Sequence, residues 1–539
     1  MKSLRPCFAA LFVIIAVGCA ASASAAEPIT AAQIDTLVER TMRAFDVPGI
    51  AVAVIKDDKV IHSKGYGVSS LKNRQKVDEH TAFGIASNSK AFTAAALAIL
   101  VDEKKLKWTD KVIDYIPEFR MYNPYVTEEF TVLDLLTHRS GLGLGAGDLM
   151  QFPSGADFTR ADVIRNLRYL KPTSGFRSKY DYDNNLYVVA GEVLARASGM
   201  SFEEFVEQRI MKKLGMTESA ASPKRLKSRA NFAYPHAALD GGAVQQIDEE
   251  IGDISNAAGG IYTNLVDMSK WVRMQLNAGK YGPNLEQRLF SEQVQWDMWS
   301  PQTIVPVGRA ANPYNTHFMS YGLGWFLNDM KGYKQVTHTG GLLGMVSQVR
   351  LFPELKLGIV VLTNQQSGAA FTAISSTIMD SYLGMPPTDW VSDLRKRVDA
   401  READARKTTE AVRSSIEAAQ LAAAAQSIDV SKFAGTFRDP WLGDVDLTLK
   451  NGKLYFASKR SPSLSGEMSH YRGNSFVVRW RERSMDADAF VNFSMGNDGT
   501  PTGMTMAAIS PLTDFSFDFQ DLNFQVVKKE PAAQVSAMK

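Results

Sequence analysis

Phe83-Gly84-Ile85-Ala86-Ser87-Asn88-Ser89-Lys90 runs without a break into Ala91-Phe92-Thr93-Ala94-Ala95-Ala96-Leu97-Ala98-Ile99-Leu100-Val101. The second part, rich in Ala, Leu and Ile with neither Gly nor Pro, predicts a buried helix. The first part sets Ser87 and Lys90 three residues apart where that helix begins. Residues at that spacing share a helical face, so the Lys90 amine is expected beside the Ser87 hydroxyl. Burial would favour the neutral amine, which can take the serine proton. The helix N-terminus favours negative charge developing near Ser87. Taken alone, Ser87 reads as a helix cap. Ser69-Ser70-Leu71-Lys72 has the same spacing in a polar stretch expected to be a surface loop.

Upstream of this stretch, Ile50-Ala51-Val52-Ala53-Val54-Ile55, a polar Lys56-Asp57-Asp58-Lys59 turn and Val60-Ile61-His62 read as a β-hairpin. Far downstream, Val346 to Arg350 and Leu357 to Thr363 read as adjacent strands. Helical stretches lie between the early and late strands, which predicts an α+β layout around an antiparallel sheet. Residues Val391 to Ile428 are rich in Ala, Arg, Asp and Glu without Gly or Pro and predict a helical connector. From Asp429 the pattern turns to β. Asp446 to Leu449, Asn451-Gly452 and Lys453 to Ala457 give strand, turn and strand, and Phe476 to Trp480 and Phe490 to Phe493 continue it. The expected organisation is a leader over 1–26, a main α+β domain over 27–390, a connector over 391–428, a small all-β domain over 429–528 and a loose tail over 529–539.

Composition narrows the function. The chain has 539 residues, 45% hydrophobic and 22% charged, with 60 Lys plus Arg against 58 Asp plus Glu. A nearly neutral chain without a long basic run is not expected to take nucleic acid as its main partner. No apolar run beyond the N-terminus is long enough to span a membrane. Lys2 and Arg5, the apolar run Leu11 to Val17, and Ala23-Ser24-Ala25 before Ala26-Glu27 read as a secretory signal. The expected location is periplasmic or extracellular. Ala16-Val17-Gly18-Cys19 is a rival, lipoprotein-like cleavage site that would leave a lipid anchor on Cys19. Cys7 and Cys19 are the only cysteines. The processed chain therefore has no disulfide and no cysteine nucleophile or metal ligand.

Several catalytic motifs are missing. The sequence has no Gly-x-Ser-x-Gly, no His-Glu-x-x-His and no Gly-x-x-x-x-Gly-Lys. His62, His80, His138, His236, His317, His338 and His470 are scattered rather than set at ligand spacing, so no metal or other cofactor is expected. Two further signals accompany Ser87 and Lys90. In Tyr182-Asp183-Asn184, a phenol near a lysine could exist partly as phenolate and relay a proton, and Asn184 could orient a substrate amide. Tyr262-Thr263-Asn264 repeats that pattern, but Thr263 or Asn264 there is expected to cap a helix. In His338-Thr339-Gly340-Gly341, the glycines would admit a substrate backbone beside a strand. His338, neutral near pH 7, could donate one hydrogen bond. The Gly341 and Ser87 amides could pair as an oxyanion hole.

In this order, the three signals resemble the serine β-lactamase and penicillin-binding-protein superfamily, in its class C β-lactamase, D-aminopeptidase and esterase branch. Phe83 to Ser87, Leu135-Leu136-Thr137-His138-Arg139-Ser140-Gly141-Leu142, Lys213-Leu214-Gly215-Met216-Thr217, Ala258-Gly259-Gly260 and Tyr321-Gly322-Leu323-Gly324-Trp325 carry the likeness. It spans roughly Val47 to Asn364. Asp439-Pro440-Trp441 through Gly452 and Leu454 resembles the lipocalin-like β domain appended to such hydrolases. The resemblance implies a β-lactamase-like fold. It implies Ser87 as acylated nucleophile, Lys90 as its base, Tyr182 in proton transfer, and Asn184, His338, Thr339 and Gly340 on the substrate. It also implies an oxyanion hole from the Ser87 and Gly341 amides and a structural role for His138. The expected substrate is a small peptide, amide or ester, on the model of D-aminopeptidases, esterases and peptidases that cut linearised microcystin. A β-lactamase or carboxylesterase, and a non-catalytic binder of cell-wall peptides, are the alternatives. Substrate choice is assigned to loops such as Leu142 to Thr159 and Thr303 to Phe318. The β domain shows none of the paired signals and is expected to supply no catalytic group.

Overall fold

In the computed structural model, residues 28–249, 252–309, 312–423 and 429–528 are described; the leader and the tail expected from the sequence lie outside them. Strand β1 (Gly49–Lys56) and strand β2 (Lys59–Gly67) form the expected hairpin. Side chains alternate along a strand, and β1 buries both faces. Ile50, Val52 and Val54 face helix α1 (Ala31–Phe45), while Ala51, Ala53 and Ile55 face the larger core. A strand apolar on both faces belongs inside a sheet covered on both sides.

That sheet has eight strands among the described residues, in the order β2-β1-β8-β7-β6-β5-β4-β3. The remaining strands are β3 (Thr303–Ile304), β4 (Met319–Tyr321), β5 (Phe326–Met330), β6 (Tyr333–Leu342), β7 (Met345–Phe352) and β8 (Leu357–Thr363). The N-terminal hairpin thus pairs with the last strand, Ile50 opposite Thr363. This long-range pairing closes the domain. Beyond Thr337, β6 leaves its partner β5 but stays on β7 through Leu342. The stretch from His338 to Leu342 therefore has a strand on one edge only, among the described residues.

Helix α2 (Ser89–Asp102) contains the expected Ala-rich run, with its residues buried from Ser89 to Leu100. A helix apolar all round belongs in the middle of a core. It packs against α3 (Asn185–Ser198) and against α4 (Leu265–Leu276), where Phe92 stacks on Trp271 at 3.8 Å between ring centres. Helix α5 (Gly368–Tyr382) covers the other sheet face with α1. The connector is a single helix, α6 (Trp390–Ala423), and the expected continuation to Ile428 lies outside the described residues.

The C-terminal segment is a closed antiparallel barrel of eight strands: β9 (Gly435–Asp439), β10 (Gly443–Lys450), β11 (Lys453–Ser458), β12 (Ser465–Arg472), β13 (Ser475–Trp480), β14 (Ala489–Met495), β15 (Pro501–Ala508) and β16 (Asn523–Val526). Asn451 and Gly452, both at positive φ, make the tight turn between β10 and β11, as a two-residue Asn-Gly hairpin requires. Phe437, Phe456, Trp480, Phe493 and Phe524 fill the interior. The barrel is docked on the main domain by polar and ionic contacts. Arg460 pairs with Asp157 at 2.7 Å and Asp162 at 2.9 Å. Asn166 Nδ2 donates to the Trp441 carbonyl at 2.9 Å, and Arg483 pairs with Asp240 at 2.6 Å.

Candidate active site

The site begins at a turn. Ala86 sits at φ 48°, a left-handed conformation that costs a non-glycine residue, in the short 3-10 turn Ala86–Asn88. Ser87 is not the helix N-cap; that position is Asn88, which makes no side-chain cap bond. The turn is held from the sheet. Ser347 Oγ on β7 donates to the Ile85 carbonyl at 2.7 Å, and Asn88 Nδ2 donates to Ser347 Oγ at 2.8 Å. Gly340 on β6 lies so close that a Cβ there would stand 2.2 Å from the Ile85 carbonyl oxygen. Gly341 is different, because a Cβ there would meet nothing within 4 Å. The two glycines therefore serve two purposes: close strand-to-turn packing and an open wall.

Lys90 is fully buried, and its Nζ touches three oxygens: Ser87 Oγ at 3.1 Å, Asn184 Oδ1 at 2.7 Å and the Ala258 carbonyl at 2.9 Å. Burial lowers its pKa to about 7, against the opposing pull of Asp148 and Asp183. Asn184 Oδ1 and the Ala258 carbonyl can only accept, so they hold two N–H bonds. In the neutral amine the lone pair is left facing Ser87 Oγ. This is the geometry a proton acceptor for Ser87 needs. The repeat at Ser69 differs. Contrary to the surface loop expected there, Ser69 and Ser70 are buried, Lys72 is exposed, and Ser70 Oγ accepts from the Lys72 and Asn73 amides. The chain turns where a helix would have aligned serine and lysine.

Tyr182 is brought to the same place. Its ring centre lies 4.8 Å from Lys90 Nζ, and the Ser87 hydroxyl pulls its pKa down against burial. Burial pushes its pKa well above the usual phenol value. The partly ionised phenolate expected from the sequence is thus corrected to a neutral phenol. The His138 ring lies behind it, tilted by 34° at 4.2 Å between centres, with Nδ1 accepting from the Asp183 amide at 3.1 Å. Asn184 precedes α3 but makes no cap bond. Its amide instead spans Lys90 and Asp148, with Nδ2 donating to Asp148 Oδ2 at 2.7 Å. Asn264, in the repeat of that motif, accepts from the Asp267 amide and caps α4, as expected.

His338 lines the site, yet both its ring nitrogens are engaged. Nε2 lies 3.0 Å from the Tyr321 hydroxyl and Nδ1 2.5 Å from the Thr339 carbonyl. The carbonyl can only accept, so Nδ1 carries the proton and Nε2 takes the Tyr321 hydrogen. Burial, with Lys90 nearby, lowers its pKa to about 3. No ring N–H is left over for the substrate bond expected of it. Thr339 and Gly341 are exposed on the open edge of β6.

These groups share a cavity of about 320 Å³ lined by Ser87, Tyr182, Asn184, His338, Thr339 and Gly341. Leu144, Phe152, Tyr180, Phe326, Leu342 and Phe515 give it apolar walls. Leu144 and Phe152 belong to the loop singled out for substrate choice; the second such loop, Thr303 to Phe318, is not among the lining residues. Asp514, Phe515 and Ser516 come from the barrel segment between β15 and β16. The β domain, expected to supply no catalytic group, thus supplies part of the wall. Sequence reasoning also missed Asp148, buried beside Asn184. Its place in the Leu142 to Thr159 loop was the only available signal. Among the described residues, no group of three or more His, Cys, Asp or Glu side chains is placed to hold a metal ion.

Residues 34–381 match the family model described as Beta-lactamase. The chain belongs to the beta-lactamase family. Residues 419–526 match a second model, Domain of unknown function (DUF3471). The family member is 28% identical over 395 residues to "Unguisins hydrolase ungD" of Aspergillus violaceofuscus, covering 68% of each chain. It is 27% identical over 340 residues to "Protein flp" of Staphylococcus aureus, covering 62% of this chain and 63% of that protein. A solved structure, the octameric penicillin-binding protein homologue from Pyrococcus abyssi, aligns with a TM-score of 0.59 at 19% identity, over 92% of this chain and all of that one. The fold is thus that of β-lactamase-like serine hydrolases, with a C-terminal barrel.

Proposed function

We propose that this beta-lactamase family protein is an exported serine hydrolase that cleaves amide or ester bonds in small or unusual peptides through an acyl-enzyme. The observation that carries the reading is the Lys90 amine, 3.1 Å from Ser87 Oγ with its other two contacts fixed on carbonyl oxygens. In the proposed reaction, Ser87 Oγ gives its proton to neutral Lys90 and bonds to the substrate carbonyl carbon. The carbonyl oxygen becomes an oxyanion held by the Ser87 and Gly341 amides. The tetrahedral intermediate collapses, the bond to the leaving amine or alcohol breaks, and that group takes the proton from Lys90 with the neutral Tyr182 hydroxyl as relay. Water, giving a proton to Lys90, then adds to the ester carbon. The carbon–Oγ bond breaks and Ser87 recovers its proton.

The cavity supports substrates without a negative charge beside the scissile bond. Among the described residues, its lining includes one carboxylate, Asp514, and no lysine or arginine, while His338 is neutral and internally bonded. The fungal relative, named as a hydrolase of unguisins, supports the same direction. Aromatic walls and an open strand edge suit an apolar peptide lying along β6. Export rests on the leader read from the sequence, which predicts a processed N-terminus near Ala26 or Glu27, with a lipid-modified Cys19 as the rival outcome. The test is a hydrolysis screen over p-nitrophenyl esters, L- and D-aminoacyl amides, short peptides and a chromogenic cephalosporin. Peptides or esters should be turned over faster than the cephalosporin. A cephalosporin faster than all of them would replace this reading with a β-lactamase.

A further inference from the structure

We propose that Ser516, carried by the C-terminal barrel, is a positioning residue of the hydrolytic site, holding the Asn184 amide through Asp148 in the orientation Lys90 requires. The inference rests on the serine-hydrolase reading above and extends it to a part of the chain outside the beta-lactamase match.

The two ends of an amide are chemically unlike. Asn184 Oδ1 can accept from Lys90, whereas Nδ2 can only donate. Rotated by half a turn, Asn184 would set N–H against N–H and leave the Lys90 amine free to turn away from Ser87. What fixes the orientation is the acceptor on the far side, Asp148 Oδ2, 2.7 Å from Asn184 Nδ2. Asp148 is itself fully buried, and its other oxygen has no hydrogen-bond partner among the described residues. Its carboxylate is therefore held through Oδ2, by Asn184 on one side and by the Ser516 hydroxyl at 3.1 Å on the other. A buried carboxyl group with so few partners is sensitive to losing one.

Ser516 is placed to be a fixed partner. It is buried, and its amide donates to Asp514 Oδ1 at 2.9 Å. On one side Phe515 meets the Tyr182 ring edge-on at 5.7 Å. On the other, Asp518 accepts from the Gly147 amide, next to Asp148 in the chain. Gly145, at φ 71°, lies under the Phe515 carbonyl, where a Cβ would stand 2.6 Å away. The segment is thus seated on both sides of the carboxylate it contacts. Lys90 on α2, Tyr182 and Asp183 before α3, and Asp518 on the barrel are the ionisable groups around Asp148. Burial pushes the Asp148 carboxyl well above the usual carboxylate range, and the Asn184 and Ser516 hydrogen bonds pull the other way.

The experiment uses the full-length protein with p-nitrophenyl butyrate and a fluorophosphonate probe, comparing Ser516→Ala, Ser516→Thr, Asp148→Asn and the double variant Asp148→Asn/Ser516→Ala. Ser516→Ala should lower kcat about tenfold with KM within about twofold, and Ser516→Thr, which keeps the hydroxyl, should recover most of the loss. Asp148→Asn should lose at least as much, and the double variant no more than Asp148→Asn alone, because both act through one amide. If Ser516→Ala fails to fold, Ser516→Cys, nearly isosteric with a weak donor, is expected to show the same loss. A Ser516→Ala or Ser516→Cys enzyme with the parent kcat, a loss confined to KM, or losses that multiply in the double variant would overturn the proposal. A parent protein that the fluorophosphonate does not label would overturn the hydrolase reading itself. A parent and a Ser516→Ala enzyme that label equally fast would overturn only the role of Ser516.

Discussion

Lys90 is a group whose chemistry follows from where its neighbours cannot go. Two carbonyl oxygens pin its N–H bonds, and burial lowers its pKa to about 7. Replacing Ser87 with Ala should reduce hydrolysis by about 10⁴-fold or more with the fold intact, and Lys90→Ala should be nearly as severe. The double variant should be little worse than either, since the two act as a unit. Ser69→Ala should leave turnover near the parent value; steady-state rates with a p-nitrophenyl ester decide all four. The pH dependence has a definite sign. The neutral amine is the active form, so kcat/KM should fall as pH drops through about 7. Asp183, whose carboxyl burial raises to about 7, adds a negative charge that holds the Lys90 pKa up. Removing that charge in Asp183→Asn should move the acid limb to lower pH, and a limb that stays or moves up would contradict the assignment. His338, lowered to about 3, should add no inflection above pH 5. The positions of Ser87, Lys90, Tyr182 and Asn184 were legible from spacing and resemblance. The state of Tyr182 and the engagement of His338 were not, because both depend on what encloses them.

Strand β6 and the nucleophile turn show what a single Cβ can decide. At Gly340 a methyl would strike the Ile85 carbonyl, a backbone atom that cannot swing aside. Gly340→Ala should destabilise the protein by ~1–3 kcal/mol, the usual cost of overpacking, and lower kcat by moving the turn that carries Ser87. Gly341→Ala meets open space, so its melting temperature should match the parent, with any effect falling on KM. Thermal unfolding and steady-state kinetics of the pair separate the two roles; equal destabilisation would contradict them. Elements with a strong local pattern were legible in the sequence: the first hairpin, the Ala-rich helix, the two late strands and the Asn451-Gly452 turn. The Ser69 segment was misread as surface because polarity was its only clue. Its burial comes from partners far along the chain, with the Tyr234 amide and Asn364 Nδ2 donating to the Ser69 carbonyl.

At the scale of the whole molecule, the barrel and the main domain are one piece of packing. One continuous apolar cluster includes Leu149, Met150 and Phe158 of the main domain together with Trp441, Phe517 and Phe519 of the barrel segment. Calorimetry of the full chain should therefore give a single cooperative unfolding transition, and two well-separated transitions would contradict shared packing. No local pattern could have revealed this contact, since Asp148 and Ser516 lie 368 positions apart. The joined architecture still depends on one oxygen for its proposed chemistry. The most direct measurement is mass spectrometry of the full-length protein after fluorophosphonate treatment across a pH series. One adduct is expected, on the peptide containing Ser87, forming faster as pH rises through about 7 and absent from Ser87→Ala. An unmodified Ser87, or an adduct that persists in Ser87→Ala, would contradict it.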